Sequence, residues 1–303
     1  MVSVCVQTYQ HASFIREALD SILIQQTDFE FEILIGEDES TDGTREICVE
    51  YSRNYHQKIR LFLNSRKNVI YINGHPTGRW NIVNNLKNAR GKYIALLPGD
   101  DYWTDPLKLQ KQVDFMDHHP QFSSCFHWAG WLLDNTGQIK HWNYGPPVIK
   151  SFYTVDDLFE HSNFIPTCSV LFRNNLFNKF PDWYFLVEVG DYPLHILNTQ
   201  YGAIGFLNEK MAVRRWHSKG IYGGSKRSEN FKRTIRTFDT ISINLNLQKN
   251  IFVKIGKARL YCKLAKAHKQ DGEYRDALLW LINSITEAPL QHKITMFRSF
   301  FRR

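Results

Sequence analysis

The chain has 303 residues, 43% of them hydrophobic and 22% charged, which is enough to bury a substantial core and too apolar for a disordered protein. Its net charge of +8 is unevenly placed: residues 1–225 carry 21 Lys and Arg against 24 Asp and Glu, whereas residues 226–303 carry 17 against 6. This excludes a nucleic-acid groove spread over the main body and leaves a basic end suited to phosphate or an anionic surface.

The first element, Val2 to Thr8, has strand composition and ends in Gln7-Thr8-Tyr9-Gln10. Phe14, Ala18, Leu19 and Ile22 then fall at helical spacing, with Ser13 as a candidate N-cap. A second strand, Phe31 to Gly36, runs into the polar loop Glu37 to Thr44 and a helix through Glu50, and Ile59 to Leu63 reads as a third strand. After a helical stretch from Ile82 to Ala89, the apolar run Tyr93 to Leu97 reads as a strand buried on both faces, stopped by Pro98-Gly99. Such alternation predicts an α/β fold with a mostly parallel sheet, helices on both faces and ligands at the strands' carboxyl ends. The loops at Thr8–Gln10, Glu37–Asp42 and Pro98–Tyr102 are then expected at one edge. Asp100 and Asp101 follow the last strand at once. Two adjacent carboxylates repel, so keeping both ionised at a sheet edge calls for a divalent cation; the other reading is a solvated turn.

Between residues 120 and 180 the chain is rich in aromatics, among them Phe126, Trp128, Trp131, Tyr144, Phe152 and Tyr153, which suit either a floor on which sugar rings stack or an aromatic core. His127 is a candidate general base there. Further on, Gly190-Asp191-Tyr192-Pro193 precedes the apolar Leu194, Ile196 and Leu197, so Asp191 stands where a helix begins and Pro193 in its first turn. The last eighty residues read as helical and basic, with Tyr261, Leu264, Ala265, His268, Tyr274, Ala277, Leu281 and Pro289 at the spacing of one tetratricopeptide-like helical pair and Gly272 at its turn. The final stretch sets Ile294, Met296, Phe297, Phe300 and Phe301 among Lys293, Arg298, Arg302 and Arg303. This suits an anionic membrane surface, a dimer contact or a frayed end. We therefore divide the chain into an α/β domain at 1–225 and a basic helical region at 226–303. Five scattered cysteines predict buried thiols in a reducing compartment. With no signal-like opening and no long apolar window, the expectation is a cytoplasmic protein, with the inner face of the membrane as its place if the tail binds lipid.

Three motifs in order carry a resemblance: Val2-Ser3-Val4-Cys5-Val6-Gln7-Thr8-Tyr9-Gln10, Gly36-Glu37-Asp38-Glu39-Ser40-Thr41-Asp42-Gly43-Thr44, and Gly91-Lys92-Tyr93-Ile94-Ala95-Leu96-Leu97-Pro98-Gly99-Asp100-Asp101. Over about residues 1–120 the chain resembles the family-2 glycosyltransferases of the GT-A fold, of bacterial surface-polysaccharide type. It departs from them at Gln7, where Pro is usual, at Gln10, often Asn, and at Pro98, where the longer motif carries another acid. The resemblance implies a Rossmann-like mixed, mostly parallel sheet with a C-terminal helical appendage. It implies that Thr8 and Asp38 line the nucleobase pocket, completed by Arg79 or Asn81, although Arg79 also reads as solvent-facing and Asp38 as a loop acid. Asp42 is the better candidate for a structural turn role. Asp101, with Asp100 beside it, would bind Mg²⁺ or Mn²⁺, which prefer hard oxygen donors. Asp191 would be the catalytic base, with Glu188 as the fallback and helix capping as the rival role. The segment Met211 to Gly220 resembles a loop that closes over the donor. There Arg215 and His217 would contact the diphosphate, or be merely exposed basic residues, and Gly220, Gly223 and Gly224 would let it move.

The function implied is a metal-dependent, inverting hexosyl- or N-acetylhexosaminyl-transferase, using a nucleotide-sugar donor and a saccharide or lipid-linked acceptor, without nucleic acid. Two rivals remain: a carbohydrate- or nucleotide-binding module without transferase activity, and a sugar-phosphate nucleotidylyltransferase. The latter should open with a Gly-rich loop carrying Arg and Lys, which Val2 to Tyr9 lacks.

Overall fold

The structure, a computed structural model, describes residues 1–133, 138–218, 220 and 223–301. The chain divides into two compact units, neither continuous in sequence: the first takes 1–152, 164–179 and 197–216, the second 153–163, 180–196 and 217–303.

In the first unit, β1 (Val2–Thr8), α1 (Ile15–Leu23), β2 (Phe31–Glu37), α2 (Thr44–Asn54) and β3 (Ile59–Leu63) alternate as expected. A hairpin not foreseen in the sequence follows, β4 (Ile70–Ile72) and β5 (His75–Thr77), and then α3 (Arg79–Asn88) and β6 (Tyr93–Leu96). After β7 (Tyr102–Trp103), α4 (Lys108–His118), β8 (Phe122–Leu133) and β9 (Gln138–Tyr144) come the short β10 (Phe152–Tyr153), β11 (Leu171–Arg173) and β12 (Ala203–Trp216), while α5 (Val155–His161) and most of α6 (Asp191–Thr199) belong to the second unit. The sheet runs β12-β8-β11-β6-β1-β2-β3. Its β6, β1, β2 and β3 are parallel, while β11 lies antiparallel to both β6 and β8, and β12 runs parallel to β8. The sheet is therefore mixed, with its parallel half supplied by the alternating first hundred residues. Burial of both faces explains the apolar runs at the centre of β1 and through β6: Val4, Cys5, Val6, Ala95 and Leu96 are fully enclosed.

Chain order places the site. From β1 the chain steps outward to β2 and β3, and β6 then returns on the opposite side of β1, so the order reverses between β1 and β6, the point at whose carboxyl ends such sheets form a ligand crevice. One expected detail fails: Ser13 does not cap α1, because the Phe14 and Ile15 amides donate instead to the His11 carbonyl, both at 2.9 Å. The five cysteines are buried free thiols, as expected.

Behind the crevice, Lys108 is fully buried, its Nζ 3.8 Å from the centre of the Trp103 ring and without a hydrogen-bond partner among the described residues. Burial pulls its pKa down to about 7. The unfolded chain keeps this proton up to about pH 10.4, so Lys108 makes stability rise with pH above about 7. Asp101 contributes the opposite slope up to about pH 8, so the informative quantity is a difference between proteins. Lys108→Met should be more stable than the wild type at pH 7, with an advantage that shrinks towards pH 8.5 at a rate approaching about 1.4 kcal/mol per pH unit. Urea unfolding across that range measures it, and a constant difference would show that Lys108 stays charged.

In the second unit α5 packs with α7 (Arg227–Asn244), α8 (Ile251–Gln270), α9 (Tyr274–Glu287) and α10 (Lys293–Phe301). Residues ahead of 225 take part in this packing. A Cβ on Gly256 would come 1.8 Å from the Phe159 carbonyl, Phe159 stands edge-on to Phe238, and Arg259 binds Glu160 at 3.0 Å. Residues 153–163 thus fold with the C-terminal helices. Asn250 caps α8 through the Phe252 amide at 2.8 Å, Gly272 turns the chain at φ +79°, and Ser284 on α9 donates to the Ala258 carbonyl at 2.7 Å. Arg302 and Arg303 of the basic end lie outside the described residues.

Candidate active site

The ends of β1, β2 and β6 meet through the backbone: the Asp38 amide donates to the Thr8 carbonyl at 3.1 Å and the Gly99 amide to the Gln7 carbonyl at 2.9 Å. Thr8 is buried, with Oγ1 3.2 Å from His11 Nδ1. Gly99 permits this approach, since a Cβ there would sit 2.7 Å from the Thr8 hydroxyl. Asp38 is also buried, and one carboxylate oxygen accepts from Asn64 Nδ2 at 3.0 Å. Burial raises its pKa, opposed by the Asn64 and Asn81 amides and by Arg66. Asn81 is held by donating to the Gly36 carbonyl at 2.8 Å, and only glycine fits at 36, because a Cβ would fall 1.7 Å from Asn81 Oδ1. Arg79, on the same first turn of α3, is 2% exposed, which removes the solvent-facing reading.

The loop that presents Asp38 depends on residues the sequence reading missed. Glu37, completely buried, accepts from the Ser40 amide at 2.7 Å and the Glu39 amide at 3.2 Å while pairing with Arg45, whose guanidinium also donates to the Asn64 carbonyl at 2.7 Å. Asp42 takes the structural role expected of it, accepting from the Thr44 amide and hydroxyl and from the Ala12 amide. Gln10 and Glu39, one on each of these loops, both have left-handed backbone, φ +57° and +61°. Such strain at non-glycine residues costs about 1 kcal/mol or more and gathers at functional sites. The strain also gives a reason for the asparagine common at the position of Gln10, because Asn tolerates that region better.

At the acid pair the two carboxylates differ. Asp101 is 3% exposed; its Oδ1 accepts the Arg215 amide at 2.9 Å, and burial together with the neighbouring Asp100 pushes its pKa up to about 8. Asp100 is partly exposed, with Oδ2 3.9 Å from His11 Nε2. The Arg215 side chain is buried as a strut: it donates to the Asp100 carbonyl at 2.8 Å, pairs with Glu17, and lies over the Phe14 and Tyr102 rings. A divalent cation fits these residues. The outward donors include the Asp100 carboxylate and the His11 imidazole, and burial beside Asp100 makes Asp101 hold its proton where a cation would let it ionise. The nearby Cys125 and Cys168 are buried thiols with raised pKa values, so the hard-donor preference of Mg²⁺ or Mn²⁺ matches the set.

Asp191 and His217 belong to the second unit. Asp191 opens α6: its Oδ2 accepts from Asn163 Nδ2 at 3.0 Å and its Oδ1 from the Tyr192 amide at 2.8 Å. One turn on, His195 is buried and burial takes its pKa down to about 4, leaving a neutral imidazole although Asp191 opposes the shift. Glu188, the fallback base, is buried between Arg233 at 3.2 Å and Arg236 at 2.7 Å, an ion-paired environment that fits a structural role. His127 is equally unsuited: fully buried, it donates to the Trp128 carbonyl at 2.8 Å and its pKa is lowered to about 3. His217 is buried, not exposed. Its carbonyl accepts the Gly220 amide at 3.1 Å and leaves no room for a Cβ on Gly223, so that glycine serves close packing and not only mobility. Lys219 of the same segment lies outside the described residues.

With this geometry in place, a family model described as Glycosyl transferase family 2 matches residues 3–180. The uncharacterized protein Rv1520 of Mycobacterium tuberculosis is 36% identical over 222 residues, 73% of this chain and 60% of its own length, so the chain spans about three fifths of that relative. The putative teichuronic acid biosynthesis glycosyltransferase TuaG of Bacillus subtilis is 31% identical over 133 residues, 44% of this chain and 47% of its own. Two solved structures share the fold. S. aureus TarS 1-349 in complex with UDP-GlcNAc matches with TM-score 0.58 at 19% identity, over 98% of this chain and 86% of that one. The mannosyltransferase PcManGT from Pyrobaculum calidifontis, in complex with GDP-Man and Mn²⁺, matches with TM-score 0.59 at 15% identity, over 98% and 78%. Among the described residues no helix is long and apolar enough to cross a membrane.

Proposed function

Because this chain belongs to glycosyl transferase family 2, we propose that it is a metal-dependent, inverting glycosyltransferase. It would move a hexosyl or N-acetylhexosaminyl group from a nucleotide-diphosphate sugar to a saccharide or lipid-linked saccharide of the cell surface, working at the cytoplasmic face of the membrane. The observation that carries this reading is the meeting of Thr8, Asp38 with Asn81, and the Asp100–Asp101 pair outside the carboxyl ends of β1, β2 and β6. The teichuronic acid biosynthesis for which TuaG is named supports the class of acceptor.

Asp38, fixed by Asn64 and freed of competing water by burial, suits acceptance from a nucleobase ring N–H. Thr8, Arg79 and Asn81 complete that pocket. Asp100, with Asp101 behind it, would hold Mg²⁺ or Mn²⁺, whose charge stabilises the departing nucleoside diphosphate. Arg215 braces the acid loop and, with His217, is the candidate phosphate contact. Asp191 accepts the acceptor hydroxyl's proton as its oxygen bonds the anomeric carbon and the bond to the diphosphate oxygen breaks, so configuration inverts. Calorimetry with UDP and GDP, with and without Mn²⁺, tests the donor site. One nucleotide should bind at least about tenfold more tightly with Mn²⁺, and no metal-dependent binding of either would remove the assignment.

A further inference from the structure

The carboxylate of Asp191 is gripped on both oxygens. The Asn163 side-chain amide donates to Oδ2 at 3.0 Å and the Tyr192 backbone amide to Oδ1 at 2.8 Å. Asn163 and Asp191 lie 28 positions apart in the chain and in the same compact unit. An ionised carboxylate only accepts, so it takes the nitrogen end of the Asn163 amide and would repel the oxygen end. It also offers about four lone-pair positions, so one N–H on each oxygen fixes the plane of the group and still suits a substrate hydroxyl.

The backbone that presents Asn163 is strained and held. Ser162, which ends α5 and directly precedes Asn163, has φ +56° and ψ −163°, a combination almost confined to glycine. Such backbone persists only where its surroundings over-determine it, and α5 is tied down along its length. A Thr154–Asp157 capping box opens the helix, and Asn250, the N-cap of α8, donates to Asp156 at 3.0 Å. Arg259 of α8 donates to the Glu160 carbonyl at 2.9 Å, two residues before the strained one. On the other side, the Tyr192 hydroxyl donates to the Leu158 carbonyl at 3.0 Å and the Tyr184 hydroxyl to the Gly190 carbonyl at 3.2 Å, so the residues on either side of Asp191 are fixed as well. A connection that had only to leave α5 could take an unstrained path. The path taken brings one amide to one carboxylate oxygen.

We propose that Asn163 is a positioning residue for the transfer reaction: its amide holds the Asp191 carboxylate in the plane from which it takes the acceptor hydroxyl's proton, and α8 holds Asn163 in place through α5. This rests on the reading of Asp191 as the general base. Asn163 acts only through Asp191 and exchanges no proton. The test follows Mn²⁺-dependent nucleotide release from a panel of UDP- and GDP-sugars, UDP-GlcNAc and GDP-Man among them, with water as the acceptor, and uses the donor that the wild type turns over fastest. Asn163→Asp keeps the shape of the side chain but sets a second carboxylate against Asp191, and Asn163→Ala removes the donor outright. Each should lower kcat by about 10- to 100-fold with KM for the donor sugar within about twofold, the scale of a lost hydrogen bond to a charged group and of a misplaced reacting one. In an Asp191→Asn background, Asn163→Ala should change kcat by less than about twofold, because the group it orients no longer takes a proton. Thermal unfolding and nucleotide binding show that each variant is folded. Wild-type kcat in both single variants, or the same loss repeated in the Asp191→Asn background, would overturn the proposal. A folded Asp191→Asn protein with normal turnover removes the base itself, and the proposal with it, and is told apart from those outcomes by needing no change at Asn163.

Discussion

Asp100→Asn should abolish Mn²⁺ binding and lower kcat/KM by about 10³ or more, the scale on which a group that stabilises developing charge is felt. Asp101→Asn should cost less in metal affinity, although the sequence reading staked the metal on Asp101. The reason is orientation: Asp101 turns inward to the Arg215 amide, while Asp100 presents its carboxylate towards His11. At pH 7 without metal Asp101 is largely protonated, its pKa raised to about 8 by burial and by Asp100. Between the ordinary carboxylate range and about pH 8 the folded protein keeps a proton that the unfolded chain has released, so stability falls as the pH rises towards 8, and asparagine removes that loss. Mn²⁺ titration of both variants, with urea unfolding to confirm that each is folded, gives the ranking. An Asp101→Asn protein that is folded and loses as much Mn²⁺ affinity as Asp100→Asn would reverse it.

That ranking shows what a sequence can and cannot carry. The succession of strands and helices, the three loops and the pair of acids were legible, because apolar runs ended by Pro98-Gly99 or by polar loops force strands to stop where ligands gather. Which neighbour of an acid pair faces outward was not. It is decided by β7 pairing with β12, Tyr102 opposite Val213, which brings the Arg215 amide to Asp101 from more than a hundred residues away. The same holds for Glu37, whose contacts with Arg45 and the following amides form only once α2 packs against the sheet, and for α5, whose place on α8 rests on the room left by Gly256. Gln10 is the intermediate case. Its departure from asparagine was visible in the chain, but its physical meaning, a left-handed φ of +57°, required the backbone.

For Asp191 the two roles left open by the sequence can be separated by one substitution. Asparagine is as good an N-cap as aspartate, and its side-chain oxygen can still accept from the Tyr192 amide or from Asn163, so Asp191→Asn should leave α6 and the thermal midpoint nearly unchanged. It cannot take a proton. If Asp191 is the general base, kcat should fall by about 10²–10⁴ while donor affinity stays within about twofold, and the acid limb of the pH–rate profile should disappear. If it only begins the helix, the asparagine variant will turn over normally, and Asp191→Ala will show a stability loss of about 1 kcal/mol with kcat retained. The fallback makes the test sharper: Glu188 is enclosed by Arg233 and Arg236 and is poorly placed to relieve a missing base, so residual transfer in the asparagine variant cannot readily be assigned to it. Wild-type turnover by Asp191→Asn would therefore remove the base from this helix and return the proton to an acceptor group or to solvent.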